Sequence, residues 1–127
     1  MAAIWVRMPS HKLAIGAIGE EHAAEYLRKL GYRIVHRNYR TSSGEIDIVA
    51  HHAGTLVFVE VKARSSTRFG PGYLAVNAAK RQKLRSQALL YVQNEQQQYA
   101  PIRFDVVSIL TTPTGTLVDL RHFIGAF

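Results

Sequence analysis

Apolar positions along the chain fall into two periods. Residues 16–30, GAIGEEHAAEYLRKL, carry Ala23, Tyr26, Leu27 and Leu30 at the i, i+3, i+4, i+7 spacing of a helix face, and Gly31 stands where helices commonly end. A second helix is expected from about Asn77, a suitable cap, to about Gln93, with Val76, Leu84, Ala88 and Tyr91 on one side. Between the helices the period drops to two. Tyr32 to Tyr39 reads as a strand that turns through Thr41-Ser42-Ser43-Gly44 into another, in which Ile46 and Ile48 point to one face and Glu45, Asp47 and Val49 to the other. After Ala53-Gly54, the run Leu56 to Val61 is too continuously apolar for a strand with one wet face. Ile102–Leu110 and Leu117–Phe123, joined across Thr112-Pro113-Thr114-Gly115, complete five strands. Tight turns make the first three strands an antiparallel meander. The helix at 77–93 is then the crossover that sets the Ile102 strand parallel to the Glu60 strand. The order α-β-β-β-α-β-β predicts an α/β fold, a mixed sheet flanked by helices. One domain is expected over residues 15–127, behind a loosely ordered leader at 1–14 that contains Ile4-Trp5-Val6.

Composition narrows the class. The apolar share of 47% and the charged share of 20% suit a globular domain. With no cysteine, disulfides, thiolate metal sites and Cys nucleophiles are excluded, which agrees with a reducing cytoplasm. No signal peptide is evident, and no apolar run approaches the roughly 20 residues that span a bilayer, so a soluble cytoplasmic protein is expected. The formal charge is +7. Between Val61 and Asn94 there is no acidic residue, against seven basic ones: Lys62, Arg64, Arg68, Lys80, Arg81, Lys83 and Arg85. Several of them flank a long basic loop around Gly70-Pro71-Gly72. Such a block suits a polyanion, most simply nucleic acid, although charge alone also admits RNA or an anionic membrane surface.

A few charges are out of place for a structural account. Glu60 and Lys62 end the apolar strand on one face, with Cα atoms roughly 6–7 Å apart, and Asp47 on the preceding strand could face the same point. Glu20 falls on or beside the buried face of the first helix, and Lys80 approaches the buried stripe of the second. A Glu60–Lys62 ion pair and a first-turn Glu favoured by the helix dipole are the structural alternatives. Three carboxylates and a lysine converging at strand ends would form an oxygen-rich site for Mg²⁺ or Mn²⁺. Beside a basic loop, that site would set a hard cation against a phosphodiester. Other chemistry is poorly supported. His51-His52 are adjacent on a turn and lack zinc-ligand spacing, Ser42, Ser43, Ser65 and Ser66 have no His–Asp partners, and Gly70-Pro71-Gly72 is not followed by the GK[ST] of a P-loop.

The segments GxxGExxAxxYLxxxGY (Gly16–Tyr32), RNYR…GEIDIV (Arg37–Val49), VFVEVKAR (Val57–Arg64) and FG…K (Phe69–Lys80) resemble the YraN-type proteins. These small bacterial proteins are assigned by similarity to the PD-(D/E)XK nucleases, near the Holliday junction resolvases. The resemblance, from about Gly16 to Val107, implies a restriction-endonuclease-like fold and a nuclease site. Asp47 matches the motif Asp, Glu60 the motif Glu, Lys62 the motif Lys, and Glu20 the helix Glu of the resolvase-like branch. By the same resemblance, Asp47, Glu60 and the Val61 carbonyl would hold one or two Mg²⁺ or Mn²⁺ ions, and Lys62 would act on the attacking water. Glu20 would complete the cation's shell or orient its water. Gln87 to Tyr91 echoes the QxxxY pattern of RecB-like nucleases, while periodicity also places Tyr91 in the core. The implied activity is endonucleolytic cleavage of branched or structured DNA, with DNA ahead of RNA as substrate and a homodimer by analogy. Arg64, Arg68, Lys80, Arg81, Lys83 and Arg85 would contact phosphates without reading sequence. Two alternatives stay open: a binding protein that keeps the fold without cleaving, and an RNA- or ribosome-associated factor.

Overall fold

The computed structural model describes residues 11–65, 77–97 and 100–127, with the side chains of 11–13 excepted. Residues 1–10 of the expected 1–14 leader, Arg68, the Gly70-Pro71-Gly72 loop and Val76 lie outside the described residues, and residues 11–14 belong to the first helix. Helix α1 (His11–Lys29) is followed by strands β1 (Arg33–Thr41), β2 (Gly44–His52) and β3 (Thr55–Arg64). Then come helix α2 (Ala78–Asn94) and strands β4 (Ile102–Thr111) and β5 (Leu117–Phe123). The five strands lie in one sheet in chain order, and β3–β4 is the parallel pair among antiparallel neighbours. This is the α/β arrangement expected from the sequence, consistent with a restriction-endonuclease-like fold.

The helices cover opposite faces of the sheet. Val57 and Val59 pack with Ala23, Ala24 and Leu27 of α1, while Leu56 and Phe58 pack with Leu84, Ala88 and Tyr91 of α2. A strand apolar on both faces is therefore the central one, sandwiched between the helices. α1 begins at His11, five residues before the expected start, and ends as expected at Gly31. There a φ of 91° lets Tyr32 N–H reach the Leu27 carbonyl at 3.0 Å. Leu30, expected on the buried face, is 49% exposed because the chain has already turned away at that point. The β2–β3 turn has positive φ at both Ala53 (49°) and Gly54 (80°), the twist a two-residue hairpin requires.

Ile46 and Ile48 do not share a face. Ile48 joins the α1-side cluster and Ile46 the α2-side cluster, so strict alternation fails across Asp47. The β2–β3 ladder ends at Ile48–Val59, and beyond that point Asp47 turns its carboxylate onto the β3 backbone. There β2 keeps only β1 as a partner, at Tyr39–Ile46, and a strand paired on one edge alone can depart from the two-residue period.

Helix α1 meets the sheet closely at Gly19. A methyl group there would fall inside the contact radius of the Ala63 Cβ. Gly19→Ala is expected to overpack this crossing and cost about 1–3 kcal/mol, seen as a lower urea midpoint at unchanged slope. An unchanged midpoint would mean that α1 can shift freely.

A buried polar knot on the α1 side joins residues far apart in the chain. Asp105, 0% exposed, accepts from Arg103 Nε (2.9 Å) and Nη2 (3.0 Å) and from Gly125 N–H (3.0 Å), and it lies 2.7 Å from His122 Nε2. Arg103 also donates to the Tyr32 hydroxyl at 2.7 Å, and the Tyr26 hydroxyl meets His122 Nδ1 at 3.1 Å. Burial alone would raise the Asp105 pKa, but the hydrogen bonds from His122, Arg103 and Gly125 overcome it and hold the value at about 2.

Candidate active site

The site forms where β2 and β3 part. Asp47 Oδ2 accepts from Val61 N–H at 2.8 Å. In an extended strand a residue projects its N–H and C=O to the same edge. The Val61 carbonyl is therefore directed toward Asp47's side of β3, where the β2 ladder has already ended. Glu60, 7% exposed, lies on the α2 side of β3 beyond Phe58. Its Oε1 is approached by Lys62 Nζ at 3.4 Å and by Lys80 Nζ at 3.3 Å. The Glu60–Lys62 ion pair, the structural alternative for these two charges, is present, and a second lysine from another element joins it.

The electrostatics are those of two acids held too close. Burial, then the Glu60 charge, pushes the Asp47 pKa up to about 7, against the Val61 N–H, which favours the anion; the Glu20 charge adds to the rise. Glu20 is also raised, chiefly by its own burial, with Arg37 opposing and the charges of Glu45 and Glu60 adding. These couplings place Glu20 in the same field as Asp47 and Glu60. It does not, however, complete a tight cage: among the described residues, no three His, Cys, Asp or Glu side chains close around one point. The oxygen set at the centre is two carboxylates and the Val61 carbonyl, all hard donors of the kind Mg²⁺ and Mn²⁺ prefer. These donor types fit a divalent cation, which would take Glu60 Oε1 in place of the two ammonium groups that now share it.

Glu20 is held by a residue that sequence reasoning passed over. Asn38, with its amide nitrogen turned to the carboxylates, donates to Glu20 Oε1 at 2.9 Å and to Glu45 Oε1 at 2.7 Å. Its φ of 53° is left-handed, a conformation Asn tolerates better than most residues. Arg37 beside it pairs with Glu21 at 2.8 Å. Gln87 is buried and donates to the Ser43 carbonyl at 3.3 Å, and Tyr91, 1% exposed, is core as its periodicity predicted.

The basic residues divide. Arg64 is half-buried at the end of β3, and Arg81, Lys83 and Arg85 are exposed along α2. Arg81 and Arg85 set their guanidinium groups 5.9 and 5.5 Å from the Phe127 ring centre, on the flank of α2 facing the C-terminal residues. Of the basic α2 residues expected to meet phosphate, Lys80 is the one that reaches the carboxylates. Among the described residues, no helix is long and apolar enough to cross a membrane.

A model of the uncharacterised protein family UPF0102 matches residues 19–109, a span that includes Glu20, Asn38, Asp47, Glu60, Lys62 and Lys80. A UPF0102 protein of Geobacter metallireducens is 42% identical over 120 residues, covering 94% of this chain and 97% of that protein. One from Syntrophomonas wolfei is 45% identical over 113 residues (89% and 96%), and one from Nocardia farcinica 49% over 102 residues (80% of each). The chain therefore belongs to the uncharacterised protein family UPF0102, the family of the YraN-type proteins.

Proposed function

We infer that this protein is a metal-dependent nuclease, an endonuclease acting on branched or structured DNA. The observation that carries this is the Asp47–Glu60 pair: two carboxylates kept together at a strand opening, with the Asp47 pKa raised to about 7, where an apolar or singly charged pair would cost less. Asp47, Glu60 and the Val61 carbonyl would hold Mg²⁺ or Mn²⁺. A hard cation bound there supplies a water of lowered pKa and charge to offset the phosphate oxygens. Lys62, two residues from Glu60 on the same strand, would orient the attacking water and meet developing charge. Glu20, fixed by Asn38, would complete the cation's shell or orient its water from the edge of the site. Arg64, Arg81, Lys83 and Arg85, with Arg68 from the adjoining segment, would hold the backbone without sequence preference.

Purified protein incubated with junction, flap and linear DNA should cut at least one of them in Mg²⁺ or Mn²⁺ and none in EDTA. Asp47→Ala and Lys62→Ala should each lose about 10²-fold or more of the rate, the size of a lost acid–base or charge-stabilising group. Cleavage surviving in both variants would point to a contaminant and sink the claim. Salt-sensitive binding with no cutting in any metal would favour instead a binding protein that keeps the fold.

A further inference from the structure

The position of Lys80 is unexplained by simple phosphate contact. Its ammonium shares one buried oxygen, Glu60 Oε1, with Lys62, at 3.3 and 3.4 Å. The two lysines are tethered differently. Lys62 sits two residues from Glu60 on the same strand, so its ammonium starts beside that carboxylate whatever α2 does. Lys80 comes from the first turn of α2, its backbone N–H fixed by the Asn77 side chain at 3.0 Å, and its side chain reaches across to another element. It is also the more exposed of the two, at 35% against 25%. The helix dipole opposes a cation in this turn, and α2 has no acidic residue there to compensate. Glu60 is the anion that answers it.

We propose that Lys80 is a displaceable counter-ion, a positioning residue that occupies Glu60 until a divalent cation takes that oxygen and then turns its freed ammonium to the phosphate of the substrate. Resting on the nuclease reading above, this makes cation and nucleic acid binding cooperative. Cation binding alone must break the Lys80–Glu60 pair, whereas with substrate present the released ammonium gains a new anion. Metal affinity is then low in the free protein and rises when nucleic acid is bound.

The test is Mn²⁺ binding by the full chain, measured by electron paramagnetic resonance with and without a phosphorothioate four-way DNA junction that resists cleavage. Lys80→Met without DNA should bind Mn²⁺ roughly five- to tenfold more tightly than the wild type, about the value of one partly buried ion pair. DNA should tighten Mn²⁺ binding in the wild type but not in Lys80→Met. Lys80→Arg, which keeps the charge, should behave as the wild type, and so should Lys29→Ala, which removes one positive charge from the far end of α1. Equal or weaker Mn²⁺ binding by folded Lys80→Met would overturn the counter-ion role and leave the nuclease reading standing. A wild type that binds no Mn²⁺, with or without DNA, would overturn both.

Discussion

Asp47→Asn is expected to make the protein more stable at pH 8 and unable to respond to Mg²⁺. The carboxyl has a folded pKa of about 7 against an ordinary value of 3.8. Above pH 7 it is ionised in both folded and unfolded chains, and the folded state bears the cost of a buried charge beside Glu60. Between pH 7 and pH 4 the folded state keeps a proton that the unfolded chain has lost, so wild-type stability rises as the pH falls through that window. A shift of about three units bounds the cost at about 4 kcal/mol. The amide oxygen can still accept from Val61 N–H, so Asp47→Asn should recover part of that energy at pH 8 and little at pH 5. A cation bound to the ionised site stabilises by mass action, and this increment should vanish in the variant. Thermal melts at pH 5 and 8, with and without Mg²⁺, check both halves. A variant less stable than wild type at pH 8 would mean that the Asp47 charge is favourable as it stands.

Asp105→Ala should do the opposite and cost about 3–5 kcal/mol, the penalty for breaking a buried charge cluster from one side. Arg103 would lose both its carboxylate contacts, His122 its closest partner, and Gly125 N–H its acceptor. Because the folded pKa is depressed to about 2, this contribution is present above the ordinary carboxylate range and fades as the pH falls through 2. Denaturant unfolding of Asp105→Ala at neutral pH reads the loss directly, and a cost below about 1 kcal/mol would reduce the knot to a decorative contact.

Much of the architecture could be read from local patterns because those patterns had one physical solution. A strand apolar at four successive positions, Leu56 to Val59, has to be covered on both faces, and that alone makes it central and puts one helix on each side. Asp47, Glu60 and Lys62 stood out because charges at the end of such a strand need partners. What could not be read depends on contacts between distant segments. Asp105 is one polar residue in an otherwise apolar stretch of β4, and its partner His122 is 17 positions away on β5. Ile46 lies on the α2 side, against the period of two, where β2 has lost β3 and stays paired with β1 alone. For Lys80, helical spacing brings the side chain near the buried stripe of α2 but does not reveal that its ammonium ends on Glu60.

Phosphodiester cleavage at the opening between β2 and β3 is the centre of this account. Its most direct test is the single-turnover rate of cutting a labelled four-way DNA junction in Mg²⁺, wild type against Lys62→Met, at protein concentrations where both bind the junction fully. The predicted result is cleavage by the wild type that EDTA abolishes and a rate at least about 10²-fold lower in the variant. Equal rates, or no cutting by a wild type that binds the junction and Mg²⁺, would contradict it.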